Sequence, residues 1–118
     1  MYLNFSSNTT ITFLIYEDSN NNNVFDKIFS KDVNLSPNGE RFYSSGNISV
    51  QIVSGRKYIF ATSWEDSVRY YSATGVHPES FYFGSTIAGF AKDLPLSDQI
   101  NYSSVTFSYL QRFKTLEK

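Results

Sequence analysis

The sequence predicts an all-β protein, an antiparallel β-sandwich of about eight strands of jelly-roll or immunoglobulin-like type. Three observations carry this. First, Ile48, Val50 and Ile52 alternate with Ser49 and Gln51; past Ser54-Gly55, Tyr58 and Phe60 alternate with Ile59 and Ala61. Two period-two runs around a glycine turn spell a β-hairpin. Second, aromatic residues make up 18% of the chain, with 11 Phe and 9 Tyr, and such side chains favour strands. Third, no segment carries the helical period over the ten or so residues that a βαβ crossover needs.

Taken in order, the first clear strand follows a polar break at Ser6-Ser7-Asn8 and runs to Glu17. Ile11, Phe13 and Ile15 share one face, and Thr10, Thr12, Leu14 and Tyr16 the other. Apolar residues on both faces predict a central strand. The stretch from Glu17 to Asp26 is a loop, because four consecutive Asn residues bond to their own backbone and tolerate left-handed geometry. Lys27 to Leu35 is the next strand, and Ser36-Pro37-Asn38-Gly39 turns the chain. Arg41 to Tyr43 is a short edge strand leading through Ser44-Ser45-Gly46-Asn47 to the hairpin.

Beyond Trp64, residues 67–72 (SVRYYS) and 80–83 (SFYF) are strands, with a loop over 74–79 between them. Residues 84–97 are irregular, since Gly89 and Pro95 oppose a long helix. Asp98 to Asn101 is a connector. Ser103 to Phe113 is a closing strand expected to pair with the central strand, 10–17.

With 118 residues the chain suffices for a single domain spanning 1–118 and no second one. Ten basic against eleven acidic residues, scattered along the sequence, lack the electrostatic footprint of a nucleic-acid binder. No Cys is present, so disulfides and thiolate chemistry are excluded. No apolar run reaches the ~18–20 residues that a bilayer-spanning helix needs, so no membrane insertion is expected. The opening residues, Met1 to Asn4, lack the basic and apolar regions of a signal peptide. The abrupt start suits a module excised from a longer chain, with neighbouring domains of the same polypeptide as partners.

Two constellations carry chemistry. Asp18, Asn20, Asn22 and Asp26, with the backbone carbonyl of Val24, place oxygens at alternate positions, the pattern by which a loop surrounds calcium. Asn23 stands where such loops bend at Gly, and Phe29 where a bidentate Glu belongs, so a solvated turn without metal competes with this reading. Calcium is the candidate cofactor. The second group is Trp64, Glu65, Asp66, Arg69, Tyr70, Tyr71 and Tyr82, where the chain's only Trp would form a platform for a sugar ring with polar neighbours on its hydroxyls. The competing reading makes Trp64 and Tyr70 core or rim residues.

Catalytic readings are weaker. Glycoside hydrolysis needs carboxyl groups about 5 to 9 Å apart across a bond, whereas adjacent Glu65 and Asp66 on a strand diverge. His77, the only His, sits before Pro78 in a loop, and no G-x-S-x-G elbow accompanies it. Gly84 to Gly89 lacks the Lys of a phosphate loop.

The run from IYE through the polar loop, KIFSKDV, FYSSGNISVQIVSGRKYIF and the late YLQRF resembles accessory β-sandwich modules of large secreted or surface proteins of bacteria and archaea, such as those attached to peptidases, glycoside hydrolases and adhesins. The resemblance implies an extracellular or cell-surface, non-catalytic module whose role depends on its neighbours; with the Trp64 group, the expected ligand is carbohydrate or a surface protein. The alternatives are a structural spacer or adhesin-stalk domain and, less favoured, a small hydrolase.

Overall fold

The computed structural model describes residues 2–65, 67–70, 72–74, 80–81, 84–85, 99–101 and 107–109. Among them every regular element is a strand, and every pairing is antiparallel. The strands are β1 (Tyr2–Asn4), β2 (Thr9–Asp18), β3 (Val24–Leu35), β4 (Arg41–Phe42), β5 (Lys57–Ser63), β6 (Arg69–Tyr70), β7 (Ser72–Thr74), β8 (Ser80–Phe81), β9 (Gly84–Ser85), β10 (Gln99–Asn101) and β11 (Phe107–Tyr109). A four-stranded sheet has the order β10-β3-β2-β5 and a three-stranded sheet the order β4-β1-β6. Two further pairs, β11-β7 and β8-β9, stand apart from them in the ladder.

Strand β2 is central, as its two apolar faces require. β3 lies along one edge from Thr9↔Leu35 to Glu17↔Asp26, and β5 along the other from Thr12↔Ser63 to Asp18↔Lys57. Directly opposed residues share a face. On the first face Ile11 and Phe13 join Leu3, Phe5 and Tyr43 in a buried cluster, with Val33, Leu35, Trp64 and Val68 packed against it. Leu3 belongs to β1, so this cluster is where the two sheets meet. Tyr2 and Phe42, paired across β1 and β4, stack edge to face at 4.9 Å, and Phe5 meets Tyr43 at 4.7 Å. The second face is divided. Leu14, Tyr16 and Phe25 are buried beside Ile59 and Ala61. Thr10 and Thr12, one turn of the pleat away, instead donate hydrogen bonds to Asn34 and Asp32 at the surface.

A β-bulge makes the second cluster possible. Ile15 opposes Phe29 but Tyr16 opposes Lys27, leaving Ile28 without an opposite number. The extra residue inverts the alternation of β3. Phe29 therefore shares the face of Ile15, whereas Phe25 comes onto the face of Tyr16 and is 2% exposed. Ile28 itself is 43% exposed.

Several expectations are corrected. Residues 48–52 form no strand: the stretch 43–53 has no ladder partner among the described residues, and Ile52 is exposed. The turn at Ser54-Gly55, closed by the Arg56 amide on the Val53 carbonyl and with Gly55 at φ 85°, leads into β5. Strand β5 pairs with β2 over a seven-residue register, and its second edge carries no ladder among the described residues. The loop expected to last until Asp26 ends at Asn23, since Val24 to Asp26 pair with β10, whose residues were expected to connect strands rather than form one. The late strand β11 pairs with β7, not with 10–17, because both edges of β2 are already occupied. Thr74, expected in a loop, ends β7, and Tyr2–Asn4 form a strand that the polar break had obscured.

The bulge yields a direct test. Ile28→Ala should change stability by less than about 0.5 kcal/mol, as befits an exposed side chain. Deleting residue 28 would turn Phe25 away from Tyr16 and should cost about 3–5 kcal/mol, as loss of a buried Phe does. Urea denaturation of both variants decides it; a deletion as mild as the alanine change would refute this role for the bulge.

Candidate functional site

The two sequence-predicted constellations lie at opposite ends of β2. Asp18 pairs with Lys57 and Thr12 with Ser63, the residue before Trp64. At ~3.4 Å per residue the two ends are roughly 20 Å apart, so they are separate places.

At the Asn-rich end, Asp18 is the organising residue. Its Oδ1 accepts the backbone N–H of Asn22 at 3.1 Å and its Oδ2 that of Asn23 at 2.9 Å. The side chain of Asn22 accepts the N–H of Val24 at 3.1 Å. Asn21 and Asn23 adopt left-handed backbone conformations, φ 53° and 62°, which Asn tolerates better than most residues. Lys57 Nζ donates to Asn23 Oδ1 at 2.7 Å and lies 4.0 Å from Asp18. The side chain of Asp18 is fully covered. Burial pushes its carboxyl up, but the amides of Asn22 and Asn23, followed by the Lys57 ammonium and the Asn21 amide, outweigh that and hold it below the ordinary value.

This geometry bears on calcium. Asp26 lies opposite Glu17, the neighbour of Asp18, so Asp18 and Asp26 project from opposite faces of the sheet. Val24 is paired with Asn101, and Asn20 is exposed. The oxygens of Asp18 already face N–H donors and an ammonium, the partners that a cation would have to replace. Asp18, Asn22 and Val24 are brought together, but as a hydrogen-bonded turn; Asp26 is not among them. Among the described residues no three His, Cys, Asp or Glu side chains gather as a metal cluster would.

On the other face at the same end stands a group that no local sequence motif marks. Tyr58, opposite Glu17, donates its hydroxyl to Glu17 Oε2 at 2.7 Å and accepts the Val53 N–H at 2.8 Å. Arg56 approaches the same carboxylate at 3.3 Å. Burial raises the Tyr58 phenol, the Val53 amide lowers it and Glu17 raises it again, for a net upward shift. The signal was present as charge order: Glu17-Asp18 on one strand faces Arg56-Lys57-Tyr58 on the next, a match visible only once those strands are paired.

At the far end Trp64 is half-buried and packs on the Leu3 cluster, together with Val68. Glu65, Ser67 and Arg69 are exposed beside it. Arg69 opposes Asn4, and Tyr70 opposes Leu3, in β6. Trp64, Glu65, Arg69 and Tyr70 are thus close along the chain at the junction of the two sheets, whereas Asp66, Tyr71, Tyr82 and His77 lie outside the described residues. Among the described residues no helix is long and apolar enough to cross a membrane.

The Asp18 turn predicts acid behaviour with a definite sign. A carboxyl held below its unfolded value binds fewer protons when folded, so its stabilisation is complete above the ordinary carboxylate pKa and disappears as pH falls through the lower folded value. Thermal melts of Asp18→Asn should show a lower midpoint than wild type near neutrality and a shallower decline below about pH 4. Parallel acid limbs for the two proteins would contradict this. Because the turn is closed by hydrogen bonds, melts in calcium and in chelator should coincide; a higher midpoint in calcium would show that the loop rearranges around the ion.

No family model, curated protein or solved structure matches this chain.

Proposed function

We propose that the chain is a non-catalytic accessory module of an exported protein, a β-sandwich that packs the β4-β1-β6 sheet on the larger one and binds carbohydrate at the Trp64 end. The observation that carries the binding reading is the half-buried Trp64, anchored on the Leu3 cluster and flanked by exposed Glu65 and Arg69. An indole anchored on a core is held in one orientation at the edge of the packing, and a carboxylate and a guanidinium next to it suit the hydroxyls of a sugar. The non-catalytic reading is supported by how three of the described acids are used: Glu17 holds Tyr58 and Arg56, Asp18 closes a turn, and Asp32 accepts Thr12 across two strands. Each of these carboxylates is engaged in holding backbone or side chains in place.

The spacer or stalk reading is the second one, favoured by the same contact of Trp64 with the core, since an indole that packs needs no ligand. The two separate in one experiment. Trp64 is the chain's only Trp, so its fluorescence reports this place alone. Titration with soluble plant and bacterial-wall oligosaccharides should give a saturable change that Arg69→Ala abolishes without lowering the melting point, and calorimetric titration of Trp64→Phe, which lacks the fluorescent indole, should give weaker binding than wild type. A flat titration, with the fold intact, would leave the spacer reading standing and end the carbohydrate one.

A further inference from the structure

Asparagine followed by glycine is the pair in which an amide is lost most readily without an enzyme, because no Cβ shields the following backbone nitrogen. Asn38 is the only Asn of this chain that precedes Gly. Four more follow one another at 20–23, and by composition alone that run is the obvious place for Asn damage. The hydrogen bonds reverse that expectation. The nitrogen that would attack Asn21 is that of Asn22, bonded to Asp18 Oδ1; the one that would attack Asn22 is that of Asn23, bonded to Asp18 Oδ2. The one that would attack Asn23 is that of Val24, bonded to the Asn22 side chain.

At Asn38 the arrangement is the opposite. Asn38 and Gly39 are exposed, Gly39 has φ 73°, and a Cβ built on Gly39 would meet nothing within 4 Å. The Tyr43 hydroxyl ties the turn at its flanks, accepting the Asn38 N–H at 2.9 Å and donating to the Gly39 carbonyl at 2.7 Å. Neither bond uses the Gly39 nitrogen or the Asn38 side chain, which are the reacting groups.

We propose that Asn38 is a self-modification site, converted to aspartate or isoaspartate by its own backbone, and that Asp18 protects the four-Asn turn from the same reaction. The Gly39 nitrogen, having given its proton to hydroxide, bonds to Cγ of Asn38. The Cγ–Nδ2 bond breaks, and Nδ2 leaves with a proton as ammonia, forming a five-membered succinimide. Water then adds to either ring carbonyl, opening the ring to a carboxylate. One outcome lengthens the backbone by an atom between the two points held by Tyr43. That hydroxyl belongs to a ring that is 7% exposed in the sheet-joining cluster, so the modification reaches the core.

The test is peptide mapping by mass spectrometry after the folded protein has stood in mildly alkaline buffer at physiological temperature, with Asp18→Ala and urea-unfolded wild type in parallel. In folded wild type Asn38 should convert faster than any residue of the 20–23 run. Asp18→Ala should raise conversion at Asn21 and Asn22 by about tenfold or more, the ratio that a hydrogen bond to a charged acceptor supports, and leave Asn38 unchanged. The urea-unfolded chain, which needs no variant to fold, should show the same gain in the run. Persistence of the Asn38 amide while the unfolded chain loses it, or equal conversion in the run with and without Asp18, would overturn the proposal.

Discussion

Strand β2 is hydrogen-bonded along both edges and apolar on both faces, and most of the described structure depends on satisfying those four demands at once. A strand with Ile11, Phe13 and Ile15 on one side and Leu14 and Tyr16 on the other would lose stability wherever one face met water, since a buried large side chain contributes roughly 1.5–3 kcal/mol. β3 and β5 meet the backbone demand. The three-stranded sheet meets the demand of the first face, through Leu3. The second face obtains Phe25 only because Ile28 is inserted opposite the Ile15–Tyr16 step. The bulge is therefore a consequence of the central position: β3 must serve Val33 and Phe29 to one face and Phe25 to the other.

Polar residues then mark where that packing ends. Thr10 and Thr12 bond to Asn34 and Asp32 where the second face reaches solvent. At the other end Glu17 and Asp18, on opposite faces, each hold a different piece of chain. Glu17 gathers Tyr58 and Arg56, and through Tyr58 fixes the amide of Val53 just before the Ser54-Gly55 turn. Asp18 closes the β2–β3 turn from inside. A carboxylate accepting two backbone amides makes charge-assisted bonds, stronger than neutral ones, and this lets a turn rich in flexible Asn keep one shape. The Arg56 pair is partly exposed and adds less than about 1 kcal/mol.

Legibility followed the range of the interactions. The β2 pattern is local, so its strand, its two faces and its central position could be read directly, as could the β5 run at Tyr58–Phe60. The Ile48–Ile52 alternation has the same local signature but forms no ladder among the described residues, even though β5 lies at the edge of its sheet and pairs on one side only, with β2. Period-two spacing describes what a segment can become, and its tertiary surroundings decide what it does become. The bulge at Ile28, the β10 pairing at Val24–Asp26 and the Glu17–Tyr58 contact are all set by residues distant in sequence, and no local pattern marks them. The candidate sites divided in the same way. Trp64 at the end of a strand was legible as a place where the pattern breaks, whereas the divergence of Asp18 and Asp26 depends on a register that spacing in the chain does not reveal.

That divergence has a chemical consequence. Alternate oxygens on a loop form a cation site only while the loop remains free to wrap; once Val24 to Asp26 enter the ladder, Asp26 is turned by the pleat to the far side of the sheet from Asp18. The oxygens left with Asp18 come from Asn side chains, one of which already accepts the Val24 amide and another the Lys57 ammonium. The negative charge of Asp18 is met by N–H groups and Lys57 in the positions where an ion would provide it. The same four-Asn sequence that resembles a ligand set is thus a turn that uses its acid as an internal anion, and a fifth Asn elsewhere, next to Gly39 and without such a guard, is the one left open to chemistry.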